Sequence, residues 1–284
     1  MIDKKTQGIK NLSDFAFLSS MILLGGFYLF FIIGLLAADS LFVTSSSIAE
    51  VFKSPEIRYA IKLSLVSCSI TAILSLWVAI PIGYLMSRFE FRGKALIDSI
   101  LDIPIVLPPL VIGLSLLIFF KITGDYVEGL FPDLYNAADI KITYGIPSVI
   151  LAQFMVACAF AVRTMRATFD QINPRREQVA LTLGCTRSQA FWAVVFPEAK
   201  RGVLTAGTLA WARALGEFGP ILIFSGATRM KTEVLSTTVF LEMSSGNIEG
   251  AVAVSLLMVL VAALVLFIIR VFGNTKHVFS GSQL

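Results

Sequence analysis

The run Phe15–Ala38, FAFLSSMILLGGFYLFFIIGLLAA, decides the fold: twenty-four consecutive residues carry no charge. A helix crossing a hydrocarbon core about 30 Å thick needs about 20 such residues. The run is too long for the apolar centre of a cleavable signal, so it is expected to remain as an anchor. Similar runs recur along the chain. Leu63–Ser87 is a second span, Ile103–Phe120 a third (starting about a turn earlier, near Ser99), and Ile142–Val162 a fourth, entered through Pro147. Gly202–Thr228, charged only at Arg213 and Glu217, is the fifth and Gly250–Ile269 the sixth. Because backbone amides in lipid must be satisfied within each span, these read as helices. The chain is therefore expected to be an all-α polytopic membrane protein with six transmembrane helices.

Composition agrees. Of 284 residues, 56% are hydrophobic and 15% charged, against about 45–50% and about 25% in a soluble domain. One soluble core could not hide that much apolar surface. A net charge of +4, thinly spread, excludes a nucleic-acid-wrapping protein. Lys and Arg set the orientation. One side holds Lys4, Lys5, Lys10, Arg88, Arg92, Lys94, Arg163, Arg166, Arg175, Arg176, Arg187, Lys200, Arg201, Arg270 and Lys276; the other holds Lys53, Arg58, Lys121, Lys141, Arg229 and Lys231. Fifteen against six puts both termini in the cytoplasm of a multi-pass plasma-membrane protein.

Catalytic and metal chemistry find no footing. Cys68 and Cys158 lie in apolar runs, Cys185 in a basic loop, and His277 is the single histidine; that spacing makes neither a disulfide framework nor a zinc site. Gly93-Lys94 lacks the upstream glycine and the following Ser/Thr that cradle phosphate. Pro81, Pro104, Pro108 and Pro109 read as helix kinks that open a cavity.

Two loops are long enough to act. The outer one, about Lys121 to Lys141, carries Asp125, Glu128, Asp133 and Asp139, and is either a solvated spacer or a dock for an external partner. The inner one, about 170–201, is organised. Asn173-Pro174 opens a helix, with an apolar stripe of Val179, Ala180 and Leu183. Gly184 is expected to turn left-handed and stop it. Thr186-x-x-Gln189 is a capping box for a second helix carrying Phe191, Trp192, Val194 and Val195, which Phe196-Pro197 should end. Such a hairpin is an amphipathic element in the headgroups or a rigid knob for a soluble protein.

Here the sequence resembles a family. Glu177-Gln178-Val179-Ala180, Gly184 seven residues after the glutamate, and Pro197 thirteen after that look like the "EAA" loop of ABC-importer permeases, although Gln178 and Val179 interrupt the alanine-rich step and Phe196 replaces the usual Leu. Arg213-Ala214-Leu215-Gly216-Glu217-Phe218-Gly219 is similar to the stretch typical of molybdate, tungstate and sulfate permeases. Asp102–Val111, with its Val106-Leu107-Pro108-Pro109 core, Thr232-x-x-Leu235 and Gly246–Glu249 add to the likeness, which covers roughly residues 60–270.

The resemblance implies a type I ABC-importer permease fold, with an N-terminal tail, first helix and outer loop over 1–58, a transmembrane domain over 59–272 and a cytoplasmic tail over 273–284. It implies a homodimer, two ATP-binding cassette subunits below, an extracytoplasmic oxyanion-binding protein above, and lipid around it. This chain would hold no cofactor; ATP and Mg would sit in the partner ATPase. Glu177, Ala180, Gly184, Cys185, Thr186 and Arg187 become ATPase-coupling residues. Pro108, Pro109, Arg213, Glu217, Gly219 and Pro220 become pore or gate residues. Molybdate or tungstate is the implied cargo, sulfate the alternative. A secondary transporter or channel would have only Arg213 and Glu217 for ion coupling and would leave the hairpin unexplained. Arg213 lies about 18 Å from the cytoplasmic end of its span at 1.5 Å per residue. A charge there costs at least about 2.5–3.5 kcal/mol, so Glu217, one turn on, is its expected partner. Either the pair only fixes helix packing, or it also flanks the path.

Overall fold

The computed structural model describes residues 3–44, 51, 53–130 and 142–274. Its helices, in order, are α1 (Asp3–Phe42), α2 (Pro55–Arg88), α3 (Lys94–Val106), α4 (Pro109–Leu130), α5 (Ile146–Gln171), α6 (Pro174–Thr182), α7 (Arg187–Ala190), α8 (Phe196–Leu215), α9 (Gly219–Phe224), α10 (Leu235–Ser244) and α11 (Ile248–Asn274). Four of the described helices (α1, α2, α5 and α11) are long and apolar enough to cross a membrane, or five crossings if the bent pair α3–α4 counts as one.

The core is α2, α5 and α8. Thr71 of α2 meets Ile150 and Gln153, and Gly83 meets Met165, so α2 and α5 run parallel. Trp211 of α8 donates to Ser69, and Gly207 meets Leu76, so α8 runs antiparallel to α2. The buried stripe of α2 is mostly small: Ala60, Ser64, Ser67, Cys68, Thr71, Ala72, Ser75, Ala79, Gly83. Facing it are Ala152, Ala157 and Ala161 of α5 and Ala206, Ala210 and Ala214 of α8. In lipid no hydrophobic gain drives helices together, so small residues that let backbones approach, with a few polar ties, do that work. A β-carbon on Gly83 would stand 2.9 Å from the Arg166 backbone nitrogen. The ties are Thr71 Oγ1 to Gln153 Oε1 at 3.2 Å and Gln153 Nε2 to Cys68 Sγ at 3.6 Å.

The third apolar run is not one span. It breaks into α3 and α4, which meet at 110°. Pro109 pushes its predecessor out of the helical region, and Pro108 does the same to Leu107, at ψ 139°. Pro81 and Pro104, also expected to kink, sit inside unbroken helices. The fifth run breaks too: α8 ends at Leu215 and α9 restarts at Gly219. The fourth begins at Ile146 and continues to Gln171. Its charged extension holds α3 through Arg163–Asp102 at 2.7 Å and the Arg166–Asp98 pair, each partly exposed and worth at most about 1 kcal/mol. The first helix is exposed along its apolar run except at half-buried Leu36, and touches α11. The first half of the expected outer loop, with Asp125 and Glu128, is instead the end of α4, which continues to Leu130; the rest, 131–141, lies outside the described residues.

Candidate functional site

The hairpin over 170–201 closes by local chemistry. Asn173 caps α6, accepting from the Arg175 amide at 3.0 Å, and Pro174 takes the first helical position. Gly184 has φ +92°. Around it the Cys185 amide returns to Ala180 O and the Gly184 amide to Leu181 O, both at 3.1 Å, which satisfies the carbonyls α6 leaves open. Thr186 and Gln189 cap each other's amides at 3.3 and 2.8 Å, opening α7.

Phe196-Pro197 does not end the second helix, contrary to the expectation from sequence. Residues Phe191–Val195 form a π-turn that runs straight into α8. The wider turn takes the Phe196 amide to Phe191 O, and a bulge of this kind lets a helix continue past proline's missing donor. The hairpin is thus continuous with the N-terminal end of the α8 rod. Its apolar stripe also divides. Ala180 is buried, while Val179, Leu183 and Trp192 face outward, Leu183 at 80% exposure.

The six expected coupling residues part in the same way. Gly184, Thr186 and Arg187 are exposed at the tip and Cys185 is half-buried. Glu177 and Ala180 face their own chain. The Glu177 carboxylate accepts from the Tyr84 hydroxyl and stands 3.3 Å from Arg88 Nε; Arg88 also donates to Ile172 O at 2.9 Å. Tyr84 lies edge-on to Phe89, Phe169 and Phe191, and Arg187 covers Phe89 at 5.2 Å. Tyr84 and Arg88 escaped the sequence reading because an arginine at the end of a span counts there only as inside charge.

The six expected pore residues gather where the two broken helices meet. A β-carbon on Gly219 would stand 2.9 Å from Pro109 Cβ, and one on Gly113 would stand 2.8 Å from Pro220 Cα. The Pro108-Pro109 break therefore rests directly on the Gly219-Pro220 break. Arg213 reaches Glu217 at 3.5 Å and lies over the Phe160 ring at 5.4 Å. Glu217 is 1% exposed, Arg213 about a third. The Glu217 carbonyl accepts from Ser236 Oγ at 2.7 Å, and Phe240 stacks on Phe218, so α10 braces the break. A cavity of about 510 Å³ fills the α3–α4 elbow. Its walls, Pro104, Leu107, Ile112, Leu116, Phe120 and Met155 among them, are apolar apart from Ser115.

A second charged cluster lies around α10. Arg229 bridges Glu233 at 3.4 Å and Glu242 at 2.8 Å, and Asn247 donates to Glu242 at 2.8 Å. Burial pushes the Glu233 carboxyl up, against the Thr238 hydroxyl and Arg229; the Ser54 hydroxyl pulls half-buried Glu56 down. An open cavity of about 660 Å³ adjoins it, lined by Ser54, Glu56, Arg229, Glu242 and Asn247. The cysteines are free, and no cluster of metal-ligating residues occurs among the described residues.

The fold is a helical membrane chain with a capped hairpin and paired helix breaks. The chain belongs to the family of inner membrane components of binding-protein-dependent transport systems, whose description matches residues 79–275. It is 32% identical over 221 residues to the sulfate transport system permease protein CysT of Escherichia coli, covering 78% of each chain. It is 32% identical over 215 residues to the molybdenum transport system permease protein ModB of Mycobacterium tuberculosis, covering 75% of this chain and 78% of that one. The molybdate/tungstate permease protein WtpB of Pyrococcus abyssi is 32% identical over 176 residues, 62% of this chain and 64% of the relative. Its fold is that of a bacterial ABC transporter that imports alginate, at TM-score 0.71 and 17% identity, covering 92% of this chain and 96% of that one. The chain is an ABC-importer permease in the inner membrane.

Proposed function

We propose that this chain forms the translocation path of an ATP-driven oxyanion importer, with molybdate or tungstate as cargo. Two copies pair in the membrane. Two ATP-binding cassette subunits dock on the hairpins and hold the ATP and Mg, and an extracytoplasmic binding protein delivers the anion. Each copy crosses six times with both termini in the cytoplasm, α8 and α9 together making the fifth crossing and the bent α3–α4 pair the third. ATP closes the ATPase dimer, the hairpins move together, and the path opens outward.

The observation that carries this reading is the hairpin: Gly184 closes a rigid tip whose exposed face is Val179 and Leu183, an apolar knob suited to a protein groove. The apolar elbow cavity supports a path between two copies rather than inside one. Sulfate is the second reading, carried by the likeness to CysT. Proteoliposomes holding the chain, its ATPase and its binding protein should take up labelled molybdate or tungstate only with ATP inside the ATPase compartment. Uptake of sulfate at the same rate, undiminished by excess molybdate, would move the assignment to sulfate.

A further inference from the structure

Glu177 carries the signature of a contact residue, yet its position says otherwise. Its side chain is 9% exposed, that of Arg88 8%. One carboxylate oxygen takes the Tyr84 hydroxyl, the other faces Arg88. A carboxylate so enclosed would have to leave both partners to reach a protein docked on the hairpin, giving up the interactions that offset its burial.

We infer that Tyr84 and Arg88 are positioning residues that clamp the hairpin to the inner end of α2 through Glu177, so that α2 carries hairpin movement to the helix breaks. This rests on the hairpin being the ATPase dock. The clamp is built from more than charge. Arg88 also holds the Ile172 carbonyl just before α6, and the Tyr84 ring sits among Phe89, Phe169 and Phe191, spanning α2, α5 and the π-turn.

What the clamp grips is a long lever. Helix α2 runs unbroken for 34 residues, about 50 Å at 1.5 Å per residue. Toward its outer end, Ser64 Oγ accepts the Leu235 amide at 2.8 Å, which fixes the start of α10. The next residue, Ser236, donates to the Glu217 carbonyl at the α8–α9 break. Tyr59 adds a hydrogen bond to Lys231 O at 3.1 Å. The inner hairpin and the gate-forming break are thus tied to one rod at its two ends.

The full complex is reconstituted in proteoliposomes, and ATP hydrolysed per anion delivered is measured for wild type, Tyr84→Phe, Arg88→Gln, Glu177→Gln and the exchange Arg88→Glu with Glu177→Arg. ATPase retained on the purified complex is the second readout. The clamp predicts that Tyr84→Phe and Arg88→Gln keep the ATPase bound while ATP per anion rises, more for Arg88→Gln than for Tyr84→Phe. The exchange should restore most of the coupling. If Arg88→Gln fails to assemble, Tyr84→Phe, which removes a single oxygen, decides alone. Wild-type ATP per anion in Tyr84→Phe would overturn the clamp, as would loss of bound ATPase confined to Glu177→Gln, which would assign that carboxylate to the dock. A wild-type complex with no bound ATPase would instead sink the transporter reading, before any variant is compared.

Discussion

Arg213 and Glu217 show what a single pair costs and what it holds. With Glu217 buried and its partner at 3.5 Å and a third exposed, deleting Arg213 strands a buried carboxylate, at about 3–5 kcal/mol, while deleting Glu217 leaves a partly solvated guanidinium and costs less. Deleting both removes the penalty. Arg213→Gln and Glu217→Gln should therefore each lower the melting temperature in detergent, and the double variant should recover it. Transport then separates the two roles: full uptake by the double variant leaves the pair as packing, whereas a stable but inactive one places it on the path. Gly184 poses a different residue-scale question. Nothing stands within 4 Å of a β-carbon there, so only its φ of +92° penalises substitution, by about 1–2 kcal/mol for a left-handed residue. Gly184→Val should insert normally but tilt the tip, and uptake should fall while basal ATP hydrolysis persists. Undiminished uptake, with normal stimulation by the binding protein, would remove the tip from coupling.

Among the elements, the long runs are legible in the sequence and the breaks only as kinks. Apolar length alone finds α1, α2, α5 and α11, because nothing in them competes with a helix. Pro108-Pro109 was read as a kink; a 110° elbow appears only when α9 packs into it, which Gly113 and Gly219 permit. Pro197 was read as a stop because a sequence does not display a π-turn. Glu177 was assigned to the dock because its partners lie 89 and 93 positions earlier, Arg88 and Tyr84, a pairing that no local spacing encodes. The elbow makes its own forecast. Gly113→Ala in α4 would gain about 1 kcal/mol of helix propensity, but its methyl would press on Pro220 Cα at 2.8 Å, and overpacking costs about 1–3 kcal/mol. The melting temperature should fall. Gly34→Ala in α1, with nothing within 4 Å, should leave it unchanged or higher. Equal responses would mean that α9 does not rest on the elbow.

For the whole molecule, the account is a chain of attachments from an inner knob to an outer cluster. The knob is Leu183 and Val179, the clamp Glu177, the lever α2, and the far end Arg229 with its carboxylates. It requires the knob on the ATPase side and the Arg229 cluster on the other. Cross-linking from a cysteine placed in an otherwise cysteine-free chain reads both at once. Leu183→Cys, at 80% exposure, is labelled with a short photoactivatable reagent in the purified complex, and Met230→Cys, beside Arg229, serves as the outer control. The account predicts an adduct of permease with the ATPase subunit from Leu183→Cys and none from Met230→Cys. An adduct with the ATPase from Met230→Cys, and none from Leu183→Cys, would contradict it.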